Sequence, residues 1–193
     1  MSQYYYQVSA LPTVSLDSEQ FPSEESFLEM CSDWMDPSDL GLIQNTRLNP
    51  TEMNLEPKNG LLNRWFVFES ELRNESARIR GQKLKKDPTQ FLRTDDSGVY
   101  FTAYGTSSDG IKSAVQESSP YQGEKLLNQI RWSFLDELSV GHIFSIEALQ
   151  IYYLKLQILS RISNFKQKLG EERFQVQYQT LSAKIAEADQ PNI

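Results

Sequence analysis

The 193-residue chain sets 19 Lys and Arg against 26 Asp and Glu, a formal net charge of -7. That balance disfavours nucleic acid as the main partner, because phosphate binding needs concentrated positive charge, and it equally disfavours adhesion to an anionic membrane. Its single cysteine, Cys31, rules out an internal disulfide. The opening MSQYYYQVSA lacks the basic start and apolar run of a secretory signal, and no window approaches the roughly 20 apolar residues that span a bilayer. The expectation is a soluble cytoplasmic protein of one domain, long enough to bury a core.

Tyr4 to Leu11 is aromatic and β-branched with loose alternation, a local strand signal, although a strand without a sheet leaves a helical start open. Pro22-Ser23-Glu24-Glu25 then supplies a cap and two acids ahead of Phe27, Met30, Cys31, Trp34 and Met35 on one helical face. Asp36-Pro37-Ser38 ends that helix, and Ser38 or Asp39 is placed to cap a short one through Leu40 and Ile43. Asn45 to Asn59, with Pro50, Pro57 and several Asn, reads as a loop.

Leu61 opens a long helix ending near Lys86, with a seam of Trp65, Phe68, Leu72 and Ile79 thickened by Leu61, Leu62 and Phe66. Its acids come first (Glu69, Glu71, Glu75) and its bases last (Arg78, Arg80, Lys83, Lys85, Lys86), as the helix dipole favours. Glu69 and Arg73 form a favourable pair four residues apart. Gly81 is a flaw worth about 1 kcal/mol in a helix interior. From Thr94 to Gly123 the turn clusters TDDSG, GTSSDG and ESSPYQG predict an irregular, mobile connection, with Val99 to Phe101 able to dock on the core.

A third helix is predicted over Glu124 to Leu138, with Leu127, Ile130, Phe134 and Leu138 on one side. Val140-Gly141-His142 makes a corner into the longest apolar stripe of the chain, Ser145 to Lys168. There Ile151, Leu154, Ile158, Ile162, Phe165 and Leu169 recur at spacings of three and four, widened by Leu149, Tyr152, Leu156 and Leu159. Such a helix has to be covered by others. Gly170 closes it, and a more polar helix follows through Phe174, Val176, Tyr178, Leu181 and Ile185. The predicted fold class is mainly α, a multi-helix bundle over residues 1–193 with a short extended N-terminal segment and a polar connection at 94–123.

Chemistry is sparse. One His and one Cys leave no zinc-binding set, and neither a metal nor a cofactor is expected. His142 suits a capping or packing role at a helix junction, and Cys31 falls on an apolar stripe as a small core residue. Asp95-Asp96-Ser97-Gly98 lacks the alternating acids of a calcium loop and reads as a turn. Gly110-Ile111-Lys112-Ser113 lacks the earlier glycine of a phosphate loop. The Asn74-Glu75-Ser76 sequon lies mid-helix and is put down to chance.

One polar group stands out: Arg73, Asn74, Glu75 and Arg78 on the second long helix, with Arg131, Trp132, Asp136, Glu137 and His142 on and after the third. Such residues build an ion network that orients helices, with desolvation offsetting most of the Coulomb gain, or they form a surface for a partner protein. A small enzyme with a polar site of Arg73, Glu75, Arg131 and Asp136 is the alternative of a different class, and a helical adaptor of an unrelated complex is another.

The opening Tyr4-Tyr5-Tyr6 with Ala10-Leu11-Pro12, then Leu72-Arg73-Asn74-Glu75 with Arg78 and Arg80, lead to Arg131-Trp132-Ser133-Phe134-Leu135-Asp136-Glu137-Leu138 with Val140-Gly141-His142. Glu147-Ala148-Leu149 and Tyr153 to Leu159 complete the set. Together these resemble a family of small uncharacterised bacterial proteins encoded beside the subunits of V/A-type rotary ATPases. More distantly the helices look like the all-helical cap of those ATPases, which seats the central stalk on the membrane rotor, although a typical cap is much longer and has three similar lobes. The resemblance implies a non-catalytic accessory or small structural subunit, acting in stalk or rotor seating or in assembly. It implies V/A-type ATPase subunits as protein partners and a place at the cytoplasmic face of the membrane.

Overall fold

A computed structural model describes residues 4–51, 60–95, 97–102 and 106–165. Among these residues it is mainly helical: α1 (Tyr5–Ala10), α2 (Glu24–Ser32), α3 (Pro37–Gln44), α4 (Gly60–Leu84), α5 (Thr106–Gln116), α6 (Pro120–Ser139) and α7 (Ile146–Asn164). The chain divides into two units, Met1–Leu159 and Ser160–Ile193. Of the second, residues 160–165 are described; Arg161 there lies 6.0 Å from the Phe165 ring centroid. The predicted Gly170 stop and the last helix lie outside the described residues.

The N-terminal strand expectation is overturned, because Tyr5–Ala10 is helical. Among the described residues the aromatic run has no neighbouring strand to pair with, and the one β-bridge there joins Thr94 to Tyr100. Tyr4 is buried instead, its N–H donating to the Phe144 carbonyl at 2.8 Å and its hydroxyl donating to the Asp39 carboxylate. α2 starts as predicted, with the Ser23 hydroxyl accepting from the Ser26 N–H at 3.1 Å. It ends at Ser32, so the helical phase does not reach Trp34, which is 73% exposed rather than on the core face. α3 begins earlier than expected. Pro37 fills its first turn after Asp36, a position that needs no N–H, and Asp39 is left to serve Tyr4.

α1 to α3 pack on the first half of α7. Tyr4, Phe27, Cys31, Met35 and Ile43 share one buried cluster with Leu149, Tyr153 and Leu156, and the Phe27 ring stacks on Tyr153 with centroids 5.3 Å apart. Burial of each such side chain contributes about 1.5–3 kcal/mol, so this cluster stabilises α1, α2 and α3, none longer than nine residues, far more than their intrinsic propensities could. Burial also pushes the Cys31 thiol up to about 11, keeping it protonated and inert at neutral pH.

The segment after α3 is held by a side-chain amide and an indole. Gln157 on α7 accepts from the Leu48 N–H at 2.7 Å and donates to the Thr46 carbonyl at 3.1 Å, while Trp65 on α4 donates to the Arg47 carbonyl at 3.2 Å. α4 and α6 meet through aromatic rings: Phe68 and Phe134 stack at 3.9 Å between centroids, with Trp65 5.5 Å from Phe68. The two helices run antiparallel, since Trp65 and Phe68 lie by Phe134 whereas Glu69 lies by Arg131. α6 and α7 are antiparallel as well, Asp136 meeting Lys155 and His142 facing Glu147.

α4 ends in a Schellman motif. Lys86 N–H donates to Gly81 O at 2.9 Å and Lys85 N–H to Gln82 O at 3.2 Å, with Lys85 left-handed at φ 53°. The returning chain crowds Gly81, where a Cβ would sit 2.8 Å from the Lys86 carbonyl oxygen. Gly81 is therefore a packing requirement of this helix end rather than the flaw its interior position suggests.

The stretch expected to be an irregular connection contains α5, with Ile111 and Ala114 buried against its neighbours α4 and α6. Its turn-like composition hid the helix, because Ser, Gly and Asp residues surround the few apolar positions. Close helix approach explains one of the glycines: a Cβ on Gly123 of α6 would lie 2.6 Å from the Ala114 carbonyl oxygen of α5. α6 accordingly begins before the predicted Glu124, at Pro120, with the Ser119 hydroxyl accepting from the Gln122 N–H at 3.4 Å.

Candidate functional site: a buried ion network between α4 and α6

Glu69 is the hub. It sits mid-way along the buried face of α4 and is fully inaccessible to solvent. Arg131 on α6 grips its carboxylate with two bonds, Nε to Oε2 at 3.0 Å and Nη2 to Oε1 at 3.1 Å. Arg73, one turn along α4, adds Nε to Oε1 at 2.9 Å and passes its other end to Asn49 Oδ1 at 2.6 Å. The third nitrogen of Arg131, Nη1, donates to Asn128 Oδ1 at 3.1 Å and Glu124 Oε1 at 3.3 Å. Two guanidinium groups thus face two carboxylates, and the fork geometry of arginine satisfies both carboxylate oxygens of Glu69. Burial alone would lower the Arg131 pKa. The charges and hydrogen bonds of Glu69, then Glu124, outweigh that and hold it above its usual value.

The flanking residues Asn74, Glu75 and Arg78 hold a small hairpin. Residues 93–101 fold back through the Thr94–Tyr100 bridge around a turn in which Asp95 Oδ1 accepts from Ser97 N–H, Ser97 Oγ and Val99 N–H, with Gly98 at φ 82°. The Asp95 to Gly98 reading as a turn matches this geometry at its described residues. Asn74, fully buried, clamps both sides: Oδ1 accepts from Arg93 N–H at 2.7 Å, and Nδ2 donates to Arg93 O at 2.8 Å and Phe101 O at 2.9 Å. Phe101 docks edge-on against Phe66, centroids 5.8 Å apart. Arg78 pairs with Glu75 at 3.5 Å and also reaches Phe101 O and Thr102 Oγ1, while Ser108 donates to Glu75 Oε1 at 3.2 Å. Arg93 itself donates to Pro50 O at 2.8 Å. Its pKa is lowered by burial and by the Arg73 charge, with Glu69 opposing.

Trp132 and Asp136 belong to a third group. Lys155 on α7 donates to Asp136 Oδ1 at 2.6 Å and lies 5.0 Å from the Trp132 ring centroid, joining α6 to α7. His142 forms a fourth at the corner, its N–H donating to Ser139 O at 3.0 Å and its ring Nδ1 lying 3.5 Å from Ser145 Oγ and 3.8 Å from Glu147. Glu137 points to solvent. The nine sequence-selected residues therefore do not converge on one place. Arg73 and Arg131 meet on Glu69, whereas Glu75 and Asp136, grouped with them as a possible polar site, are paired elsewhere with Arg78 and Lys155.

Sequence reasoning paired Glu69 with Arg73, as observed, but missed it as the hub and read it only as one of the acids that lead the helix. The signal was present: Glu69 falls four residues after Trp65 and three before Leu72, both on the buried seam. Asn49, Arg93 and Asn128 had no such signal, since their roles depend on which segments meet.

A second buried polar residue carries no compensation. Gln150 on α7 is fully buried and neither end of its amide finds a hydrogen-bond partner. An unpaired buried amide costs about 1–3 kcal/mol, so Gln150→Met is expected to raise stability by about 1–2 kcal/mol, read as a higher urea midpoint at unchanged m-value.

Among the described residues no three His, Cys, Asp or Glu side chains gather as a metal-binding group, and no helix is long and apolar enough to cross a membrane. Residues 110–185 match the model of a family described as protein of unknown function (DUF2764). The chain is similar to an uncharacterised family over that stretch, which holds α6, α7 and the Arg131 to His142 motif. No curated protein and no solved structure matches the chain.

Proposed function

We propose that the protein is a non-catalytic accessory or small structural subunit of a V/A-type rotary ATPase, acting in stalk or rotor seating or in assembly. One observation supports this most: several of the residues through which the sequence resembles the ATPase-linked family are spent on joining helices. Arg131 ties α6 to α4, Asp136 and Trp132 hold Lys155 of α7, and His142 with Glu147 closes the corner between α6 and α7. Charged groups paired off in this way orient a scaffold, and the Arg131–Glu69 pair is closed to solvent as well. The family matched by residues 110–185 is described neither by an activity nor by a partner. The partner assignment rests on the motif resemblance.

The test is purification of the ATPase and its assembly intermediates from cells carrying a tagged copy of the chain. The tagged protein is expected to accompany stalk or rotor subunits in at least one complex. Its absence from every complex, in detergent and in mild salt, would remove the proposal.

A further inference from the structure

Two surfaces of opposite charge lie at opposite ends of the unit formed by residues 1–159, each carrying a large exposed apolar side chain. The first is acidic. Residues 1–46 contain no Lys or Arg, and Glu25, Glu29 and Asp33 recur every fourth residue along the exposed side of α2, away from the buried Phe27 and Cys31. Like charges at that spacing repel one another, and among the described residues no ion pair involves any of the three. Trp34 follows directly at 73% exposure, and α1 lies beside it, with Gln7 Nε2 3.4 Å from the Trp34 carbonyl and Tyr6 82% exposed.

The second surface is the C-terminal end of α4. Arg80, Lys83, Lys85 and Lys86 are all exposed there, and no ion pair among the described residues includes them. Leu84 is 65% exposed between them and Phe91, just beyond, is 67% exposed. Asp87 follows, its carboxylate occupied by the Thr89 N–H and hydroxyl.

These surfaces cannot neutralise each other within one molecule. Trp65 touches the segment after α3 through Arg47, and Lys83 lies eighteen residues further along the same helix, roughly 27 Å at 1.5 Å per residue. The acidic helices pack on the opposite side of that junction, on the start of α7. At physiological salt a separation of that size is about three Debye lengths.

We propose that the acidic α2 stripe with Trp34 of one molecule receives the basic α4 end with Leu84 of a second copy, head to tail. The charges form the rim, and Trp34 packs against Leu84 and the lysine stems as the apolar centre. A heterologous contact of this kind leaves one surface of each sign free at the ends, so assembly continues to a chain or a closed ring. The arrangement rests on neither the Arg131 to His142 segment nor the partners of the proposed ATPase role, and it stands or falls separately.

Sedimentation velocity of the full chain across a wide concentration range tests it, from about 0.01 M to about 1 M salt, over which the Debye length falls from about 30 Å to about 3 Å. Oligomers that grow with concentration at low salt and dissolve at high salt are expected, with a blue shift of Trp34 emission on association that Trp34→Phe abolishes. Two charge-reversed variants, Glu25→Lys/Glu29→Lys/Asp33→Lys and Lys83→Glu/Lys85→Glu/Lys86→Glu, should each weaken self-association by about tenfold or more. Mixed together they should assemble again as an alternating chain or ring, because the reversed α2 of one variant meets the reversed α4 end of the other while the two unreversed surfaces still match. All these side chains are exposed, and circular dichroism confirms that the variants fold. A wild-type chain that is monomeric at every concentration in low salt overturns the proposal. So does an oligomer that both reversals leave intact, which would point to a different face, and so does a monomer that binds a Lys/Arg-rich peptide through Trp34, which would give the acidic stripe to a basic partner.

Discussion

Arg131→Met is expected to destabilise the fold by about 3–5 kcal/mol, the range observed when one member of a buried ion pair is removed. The magnitude follows from the position of Glu69 rather than from the strength of its bonds. Glu69 is fully buried and the Arg131 side chain is 5% exposed, so the change strands a carboxylate that water cannot reach. Arg73, which is 37% exposed, keeps one bond to Glu69 and limits the loss. Glu69→Met alone should cost less than Arg131→Met, because Arg131 retains Glu124 and Asn128. The double variant Glu69→Met/Arg131→Met should recover most of the stability, since two apolar side chains of similar length replace the pair. Urea unfolding of the four proteins gives the coupling energy directly. A double variant as unstable as Arg131→Met would show that the network does more than hold α4 against α6. Arg131→Lys should behave like a partial deletion, because an ammonium cannot make the two-pronged contact.

Asn74→Ala is expected to cost about 3 kcal/mol, one for each of the three hydrogen bonds between its amide and the hairpin. The backbone groups it leaves behind, Arg93 N–H, Arg93 C=O and Phe101 C=O, face the buried side of the hairpin. Their full desolvation penalty would be larger, but the hairpin has another course. Val99 is 62% exposed and Tyr100 41%, so the segment can detach and rehydrate. Hydrogen exchange should therefore show loss of protection over residues 93–102 well before global unfolding, and limited proteolysis should cut there first. Asn74→Asp should be no milder, because the carboxylate keeps the acceptor for Arg93 N–H while setting negative charge against two carbonyl oxygens. An unchanged exchange pattern in either variant would contradict the clamp.

Much of the helical framework can be read from periodicity. Ser145 onward shows apolar residues at spacings of three and four around most of its circumference, and α7 is correspondingly buried through Leu149, Ile151, Leu154, Leu156, Ile158 and Leu159. The α2 cap and the α4 seam are equally local, since they depend on residues within a turn or two of each other. Tyr4 to Leu11 misleads because β-propensity describes fit to a pleated surface, and among the described residues no neighbouring strand supplies one; buried contacts to Phe144 and Asp39 set the conformation instead.

For the site, the residue order settles which groups are available: arginines, acids and asparagines on α4 and α6, with one His and one Cys in the whole chain. How those groups are shared is a matter of helix packing. It puts Glu69 against Arg131 across 62 positions of sequence, gives Asn74 to a hairpin 19 to 27 residues away, and gives Asp136 to Lys155. The physical reason is one of range. Helical phase and capping act over a few residues and leave a local record, whereas a carboxylate's burial and its choice of partner depend on which faces pack together.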